Sequence, residues 1–370
     1  MENGDNNVLV RKSSPAQYIN SKNIIEEAGR RILQLGNRAL ISAGSKAWDS
    51  VKEKLIYSLN KSGIKSDMNL FIGECCDSNI SIVSEKAKRI RANIIIGVGG
   101  GKSLDTAKAA ANEINLPIIC IPTIAATCAA TSSISIVYSD DGVYEKDLIH
   151  RTNPDLVLVD PMIIKQAPDI YMKAGILDAL SKWFEGKLAE KNIINIDIFD
   201  KTALLIAKQL YEKISINAQR AVELTRSNEF SEVLQEVIDL NIYFPCMILE
   251  LGPKLARGGI AHAISNGLTA IEEAHKLLHG IKVGYGIMIQ LILERFLENK
   301  DTEEIQKTLS FYKSFNFIPS LRNLNIEVNE DAINKIADKT AVDPLIEISF
   351  SNIKKSTIVE AIKKLEELIE

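Results

Sequence analysis

The chain has 370 residues, of which 46% are hydrophobic and 25% charged, and a formal net charge of −4. That length exceeds one ordinary hydrophobic core, so two domains with room for a buried active site are expected. A mildly acidic balance without a basic stripe argues against a nucleic-acid partner and leaves small molecules as the expected ligands.

The opening Met1-Glu2-Asn3-Gly4-Asp5 is polar and acidic with no apolar stretch behind it, and no window approaches the run of about 18 apolar residues that a membrane helix needs. Cys75, Cys76, Cys120, Cys128 and Cys246 show neither a disulfide framework nor paired metal-knuckle spacing. A reduced, cytoplasmic setting without membrane attachment is the expectation.

In chain order, the pattern predicts a strand over Asn7–Val10 and a helix over Ser21–Leu35 capped by Asn23. A strand over Arg38–Ala43, a helix over Ala47–Ser62, a strand over Met68–Ile72 and a helix over Asn79–Ile90 follow. The apolar run Ile94–Ile96 then enters Gly97-Val98-Gly99-Gly100-Gly101-Lys102-Ser103 and a helix with apolar positions at Leu104, Ala107, Ala111 and Ile114. Three adjacent glycines allow close approach of a ligand to the main chain, and the helix behind them presents free N–H groups to a phosphate. This is neither a P-loop, which needs glycine where Ile96 stands, nor a complete Rossmann fingerprint, whose third glycine is replaced by Lys102.

Further strands are predicted over Leu116–Ile121, Ser133–Tyr138 and Leu156–Val159, with a turn at Asp140-Asp141-Gly142 between the last two. Strands alternating with helices imply an α/β domain with a mostly parallel sheet, whose ligands lie beyond the carboxyl ends of the strands. From Pro161 the character changes: Asp169–Leu188, Asp197–Ile214, Ala218–Phe230 and Val233–Tyr243 are long and helix-periodic. The expected division is a dinucleotide-binding α/β domain over 1–164 and an all-helical domain over 165–370.

Three of the four histidines, His262, His275 and His279, fall in one short stretch that reads as two helices around a break. His275 and His279, four apart, share a face if the helix persists, and clustered imidazoles point to zinc or iron. Asp178, inside the apolar run Ala174–Leu180, is the candidate carboxylate ligand, because an unpaired charge there is costly to bury; a salt bridge to Lys173 or Lys182 is the alternative.

Taken together, these pieces resemble the glycerol dehydrogenase group of the iron-containing (group III) alcohol dehydrogenase superfamily. The resemblance rests on Phe71-Ile72-Gly73-Glu74-Cys75, Gly99 through Lys108, Pro122 through Thr127 with Thr131 through Tyr138, Asp178 through Glu185, and the two histidine stretches. It implies a dehydroquinate synthase-like architecture with the site between the two domains, metal ligands and catalytic centre at Asp178, His262 and His279, and a homo-oligomer. It further implies pyrophosphate binding by Gly99, Gly100, Gly101, Lys102 and Ser103, adenosine and ribose contacts at Thr123 and Ala126, and nicotinamide contacts at Ser132, Ile134 and Tyr138. The implied activity is hydride transfer between a small alcohol or polyol and NAD.

Three departures from the family pattern modify these expectations. Cys128 stands where the glycerol enzymes carry an aspartate and becomes a neutral wall of the substrate pocket. Gly44-Ser45-Lys46 replaces the ribose-binding aspartate, which opens the choice between NAD and NADP. Lys276 stands where a second histidine often follows His275. Lys182 also occupies the position of a further histidine in iron-type members, which favours zinc over iron. A glycerol-1-phosphate dehydrogenase, a dehydroquinate-synthase-like lyase and a non-catalytic nucleotide-binding protein remain as alternatives.

Overall fold

The computed structural model describes residues 11–12, 14–193, 195–256, 258–298, 301–350 and 353–370; the strand expected over Asn7–Val10 lies outside them. The strands are β1 (Tyr18–Asn20), β2 (Arg38–Gly44), β3 (Lys65–Phe71), β4 (Ile94–Gly99), β5 (Ile118–Pro122), β6 (Ile134–Tyr138), β7 (Tyr144–Ile149) and β8 (Leu156–Val159). Between them run α1 (Ala28–Ile32), α2 (Ser45–Lys61), α3 (Asp77–Arg89) and α4 (Gly101–Glu113). From Pro161 onward the described elements are all helical: α5 (Pro161–Ile164), α6 (Asp169–Asn192), α7 (Ile198–Arg226), α8 (Glu232–Ile242), α9 (Phe244–Leu251), α10 (Pro253–Ala256), α11 (Ile260–Leu268), α12 (His279–Glu298), α13 (Glu303–Ser314), α14 (Glu330–Ala341), α15 (Leu345–Ser349) and α16 (Lys355–Ile369), with short 3-10 turns interspersed.

Six strands form one parallel sheet in the order β1-β8-β5-β4-β2-β3. Every residue of β4, β5 and β8 is buried, as expected for strands covered by helices on both faces. The edge strand β3 instead exposes Lys65 and Asp67, which discourages pairing with another chain. From β2 the chain crosses outward to β3 and then back to β4 on the other side, so the topological switch lies between β2 and β4. A ligand crevice opens at such a point, beyond Gly44 and Gly99.

Several sequence expectations are corrected. Asn23 does not cap a helix: it is left-handed at φ 59°, its N–H donates to Asp160 Oδ1 at 3.0 Å, and a 3-10 turn over Ile24–Glu27 precedes the short α1. The helices expected over Asp197–Ile214 and Ala218–Phe230 are one continuous α7, because the intervening Ser215-Ile216-Asn217 contains no breaker and Ile214 and Ala218 lie on the same buried face. The turn at Asp140–Gly142 leads into β7, which pairs antiparallel with β6, rather than directly into β8. Strand β7 is almost wholly exposed and lacks apolar alternation, so its sequence carries no strand signal.

His150, just after β7, is buried with Nε2 2.7 Å from Ser135 Oγ, while its own carbonyl accepts from Lys12 Nζ at 2.6 Å. Burial, with help from Lys108 and Lys12, pushes its pKa down to about 4. A ring held neutral in the fold takes up its proton more readily when unfolded, so its contribution to stability is full above about pH 6.5 and is lost as pH falls toward 4. Urea unfolding of the wild type and His150→Gln should therefore diverge on acidification. The wild type is expected to lose about 2 kcal/mol more than the variant between pH 7 and pH 5; parallel losses would show that His150 is not held neutral.

Candidate metal and dinucleotide site

The sheet side of the site is shaped by close backbone approach. A Cβ at Gly97 would meet Ala107 Cβ at 2.8 Å, so the glycine lets α4 lie directly on β4. Gly99 has φ +139°, a conformation that side chains rarely adopt, and a Cβ at Gly100 would meet Ile124 Cδ1 at 2.7 Å. Ser103 Oγ donates to Val98 O at 2.9 Å and Thr123 N to Gly99 O at 3.1 Å, which fixes the turn against the end of β5. Gly99–Ser103, Thr123 and Ala126 thus gather at the carboxyl ends of β4 and β5, with α4 presenting its first N–H groups there. Lys102 reaches out of the turn to pair with Glu74.

Ser132, Ile134 and Tyr138 lie on the segment that continues from this edge, and a buried lysine ties the first two to α4. Lys108 Nζ donates to Ser132 O at 3.1 Å and Ile134 O at 2.5 Å, and pairs with Asp105 Oδ1 at 2.8 Å. Burial, reinforced by Asp105, keeps the Tyr138 phenol neutral. Beside the switch point, a Cβ at Gly44 would meet nothing within 4 Å, so the end of β2 is open.

On the helical side, Asp178 projects from the middle of α6, His262 from the first turn of α11, and His279 opens α12. A Cβ at Gly280 would stand 1.8 Å from Ala174 O, and one at Gly286 would stand 2.2 Å from Ala261 O. Both glycines let α12 press its backbone onto α6 and α11. That contact brings the three side chains together: Asp178 Oδ1 lies 3.7 Å from His262 Nε2 and 3.7 Å from His279 Nε2, and all three ligand atoms fall within 4.8 Å of one another. Ligand atoms about 2.1 Å from a tetrahedral ion are about 3.4 Å apart, so a divalent cation fits this triangle with a small contraction.

Glu185, one further face-sharing position along α6, completes the arrangement. Its carboxylate, 1% exposed, accepts the His262 backbone N–H at 2.9 Å and engages His262 Nδ1 at 2.7 Å, which turns Nε2 toward Asp178. Sequence reasoning assigned Glu185 no role, although its seven-residue offset from Asp178 places both on one helical face. Burial disfavours the charged Asp178, but the neighbouring ring of His262 and the charges of His279 and Lys182 outweigh it and hold the carboxyl well below the usual range. At His262 burial is likewise overcome, here by Glu185 and Asp178, and the ring rises to about 9. His279, whose side chain is 43% accessible, is carried down to about 4 by desolvation and by the charges of His262, Lys282 and Lys182, against only partial compensation from Asp178.

His275 does not join this group. The helix breaks after the 3-10 turn Glu272–Lys276, so His275 and His279 share no face, and His275 Nε2 contacts Thr269 O at 3.0 Å. The alternative partners of Asp178 also resolve: Lys173 pairs with Asp169 at 3.4 Å, and Lys182 makes no ion pair among the described residues. Cys128 lies within electrostatic reach of Asp178 and Lys182, and burial, with Asp178, pushes its thiol up to about 11, so it is a neutral thiol rather than a thiolate. Lys282, one turn beyond His279, is drawn down to about 8 by burial and by Lys339 and Lys102, the last of which stands in the glycine turn within electrostatic reach. A surface depression lined by Phe296, Val359 and Glu360 shares no residue with the site.

Comparison with known proteins gives a consistent picture. The profile of the family described as iron-containing alcohol dehydrogenase matches residues 15–161. The chain is 32% identical to a glycerol dehydrogenase of Pseudomonas putida over 316 residues, covering 85% of this chain and 84% of that one. It is also 32% identical over 333 residues to hydroxycarboxylate dehydrogenase A of Escherichia coli (strain K12), covering 89% and 90%. Among solved structures, a probable glycerol dehydrogenase from Sinorhizobium meliloti 1021 superposes with a TM-score of 0.84 at 29% identity, covering 96% of this chain and 98% of that one.

The Glu185 contact yields a test that is independent of turnover. In Glu185→Gln the ring of His262 loses its charged anchor, and zinc affinity measured by competition with a chromophoric chelator is expected to fall about 10- to 100-fold. Unchanged affinity would mean that Glu185 does not orient a ligand.

Proposed function

The chain belongs to the iron-containing alcohol dehydrogenase family, and on that premise we propose that it is a metal-dependent oxidoreductase that passes a hydride between a small alcohol or polyol and a nicotinamide dinucleotide. The observation that carries this reading is the triangle of Asp178, His262 and His279, supported by Glu185 and facing the glycine turn at the sheet's switch point. Asp178, His262 and His279 are the residues that would hold the cation. When bound, such an ion polarises a substrate hydroxyl and stabilises the alkoxide.

The rest of the work falls to the chain itself. Gly99–Ser103 would cradle the pyrophosphate through backbone N–H groups at the start of α4. Thr123 and Ala126 would flank the adenosine and its ribose, and Ser132, Ile134 and Tyr138 the nicotinamide half. Lys108 holds the carbonyls of Ser132 and Ile134 rigid, so the ring is positioned rather than loosely admitted. Cys128 offers a neutral wall to the substrate. In the oxidative direction the carbinol C–H bond breaks as hydride joins the nicotinamide, the hydroxyl proton is released, and a carbonyl results.

The open end of β2 at Gly44, followed by Ser45 and Lys46, supports acceptance of a 2′-phosphate, since no carboxylate stands there to repel it. Zinc rather than iron, self-association and a cytoplasmic location belong to the same reading through family resemblance. The alternative of a silent nucleotide-binding protein is disfavoured by the intact and oriented ligand triangle.

Dialysis against a chelator should abolish reduction of both NAD and NADP by a panel of alcohols and polyols, and zinc or ferrous iron should restore it. NADP turnover is expected within about tenfold of NAD turnover. Asp178→Asn should lower kcat/KM at least about 100-fold with the fold intact by circular dichroism. Full activity after metal removal would contradict the reading.

A further inference from the structure

Lys182 is only 7% exposed, yet among the described residues no hydrogen bond and no carboxylate within 4.0 Å engages its ammonium group. The ammonium nitrogen is not sealed away either, since it is absent from the buried unsatisfied atoms and so keeps some accessible surface. Helix α6 sets it one turn beyond Asp178, on the same face. Its charge is felt by Asp178, Glu185, His262, His279 and Cys128, so it stands among the residues of the site rather than on their periphery.

The acids nearby leave Lys182 unanswered for identifiable reasons. Both oxygens of Glu185 are engaged by His262, one by the backbone N–H and one by the ring. Asp178 turns its Oδ1 to the two imidazoles. A divalent cation in the triangle would absorb the two carboxylate charges, and the charge of Lys182 would remain over. Cys128 contributes a neutral thiol, and Lys282 adds a second cation within electrostatic reach of His279. A largely buried ammonium without a counter-charge, one turn from the ligand triangle, is a place for an anion.

We propose that the alcohol this enzyme oxidises carries an anionic group, carboxylate or phosphate, close to its carbinol carbon, and that Lys182 binds that group and sets the preference over neutral polyols. The inference rests on the dehydrogenase reading and narrows its substrate class. A carboxylate on the adjacent carbon would reach Lys182 while the hydroxyl faces the ligand triangle; a phosphate ester places the charge one atom further out.

The test uses metal-loaded enzyme and matched pairs: lactate against 1,2-propanediol for the carboxylate, and glycerol 3-phosphate against glycerol for the phosphate. One of the two pairs should favour the anion by at least about tenfold in kcat/KM, and Lys182→Met should lower that ratio at least about tenfold while Lys182→Arg retains most of it. Binding is read separately by calorimetry with 2-hydroxyisobutyrate, whose tertiary carbinol cannot yield a hydride, and with its uncharged amide. The wild type should prefer the acid and Lys182→Met should not. Preferential turnover of the neutral members, with ratios unmoved in Lys182→Met, would overturn the inference while leaving the dehydrogenase reading intact. If no alcohol is turned over with either cofactor the dehydrogenase reading fails, and equal affinity for the acid and the amide would then overturn the role of Lys182 as well.

Discussion

Everything at this site depends on how closely α12 can lie on α6 and α11. At Gly280 the only side chain that α12 can carry against Ala174 O is a hydrogen atom, and Gly286 stands in the same relation to Ala261 O. Gly284, between them, makes room for Leu177, whose methyl groups would be 2.8 Å from any added Cβ. These three helices each bear one side chain of the triangle, and all three of those side chains, Asp178 beside Leu177, His262 beside Ala261 and His279 beside Gly280, are immediate neighbours of residues in the contact. Ligand geometry is therefore a by-product of helix packing, and interiors packed at this density tolerate little displacement.

The sheet half obeys the same logic with different partners. Gly97 allows α4 onto β4, and Lys108 pins the segment after β5 to α4, so the glycine turn and the Ser132–Ile134 carbonyls are tied to one helix. The two halves are joined by contacts of equal intimacy: a Cβ at Gly175 of α6 would stand 1.9 Å from Ala125 O, and Asn241 Nδ2 of α8 donates to that same carbonyl at 3.1 Å. The loop after β5 is thus part of the wall of both halves. A cation on α6, α11 and α12 and a dinucleotide on the sheet edge would lie on either side of this shared wall.

Much of this was legible in the sequence because the relevant signals are local. The glycine turn between an apolar run and a helix, the alternation of strands and helices up to Val159, and a buried aspartate in an apolar helix can each be read from a dozen residues. What escaped was set by tertiary contacts. Strand β1 is three residues long and β7 is almost wholly exposed without apolar alternation, so neither announces itself, and both exist because a neighbour supplies the ladder. The spacing of His275 and His279 invited a shared face, which the 3-10 break denies. Glu185 and Lys182 lay within the recognised Asp178–Glu185 segment, but only the meeting of α6 with α11 shows that one carboxylate is taken by His262 while the ammonium beside it is left without a partner.

The central claim, that Asp178, His262 and His279 jointly hold a catalytic cation, is tested most directly by anomalous diffraction from zinc-loaded crystals at the zinc edge. The account predicts one peak per chain, about 2.0 to 2.2 Å from a carboxylate oxygen of Asp178 and from Nε2 of both histidines. A triangle left empty at saturating zinc, or a peak ligated by other side chains, would contradict it.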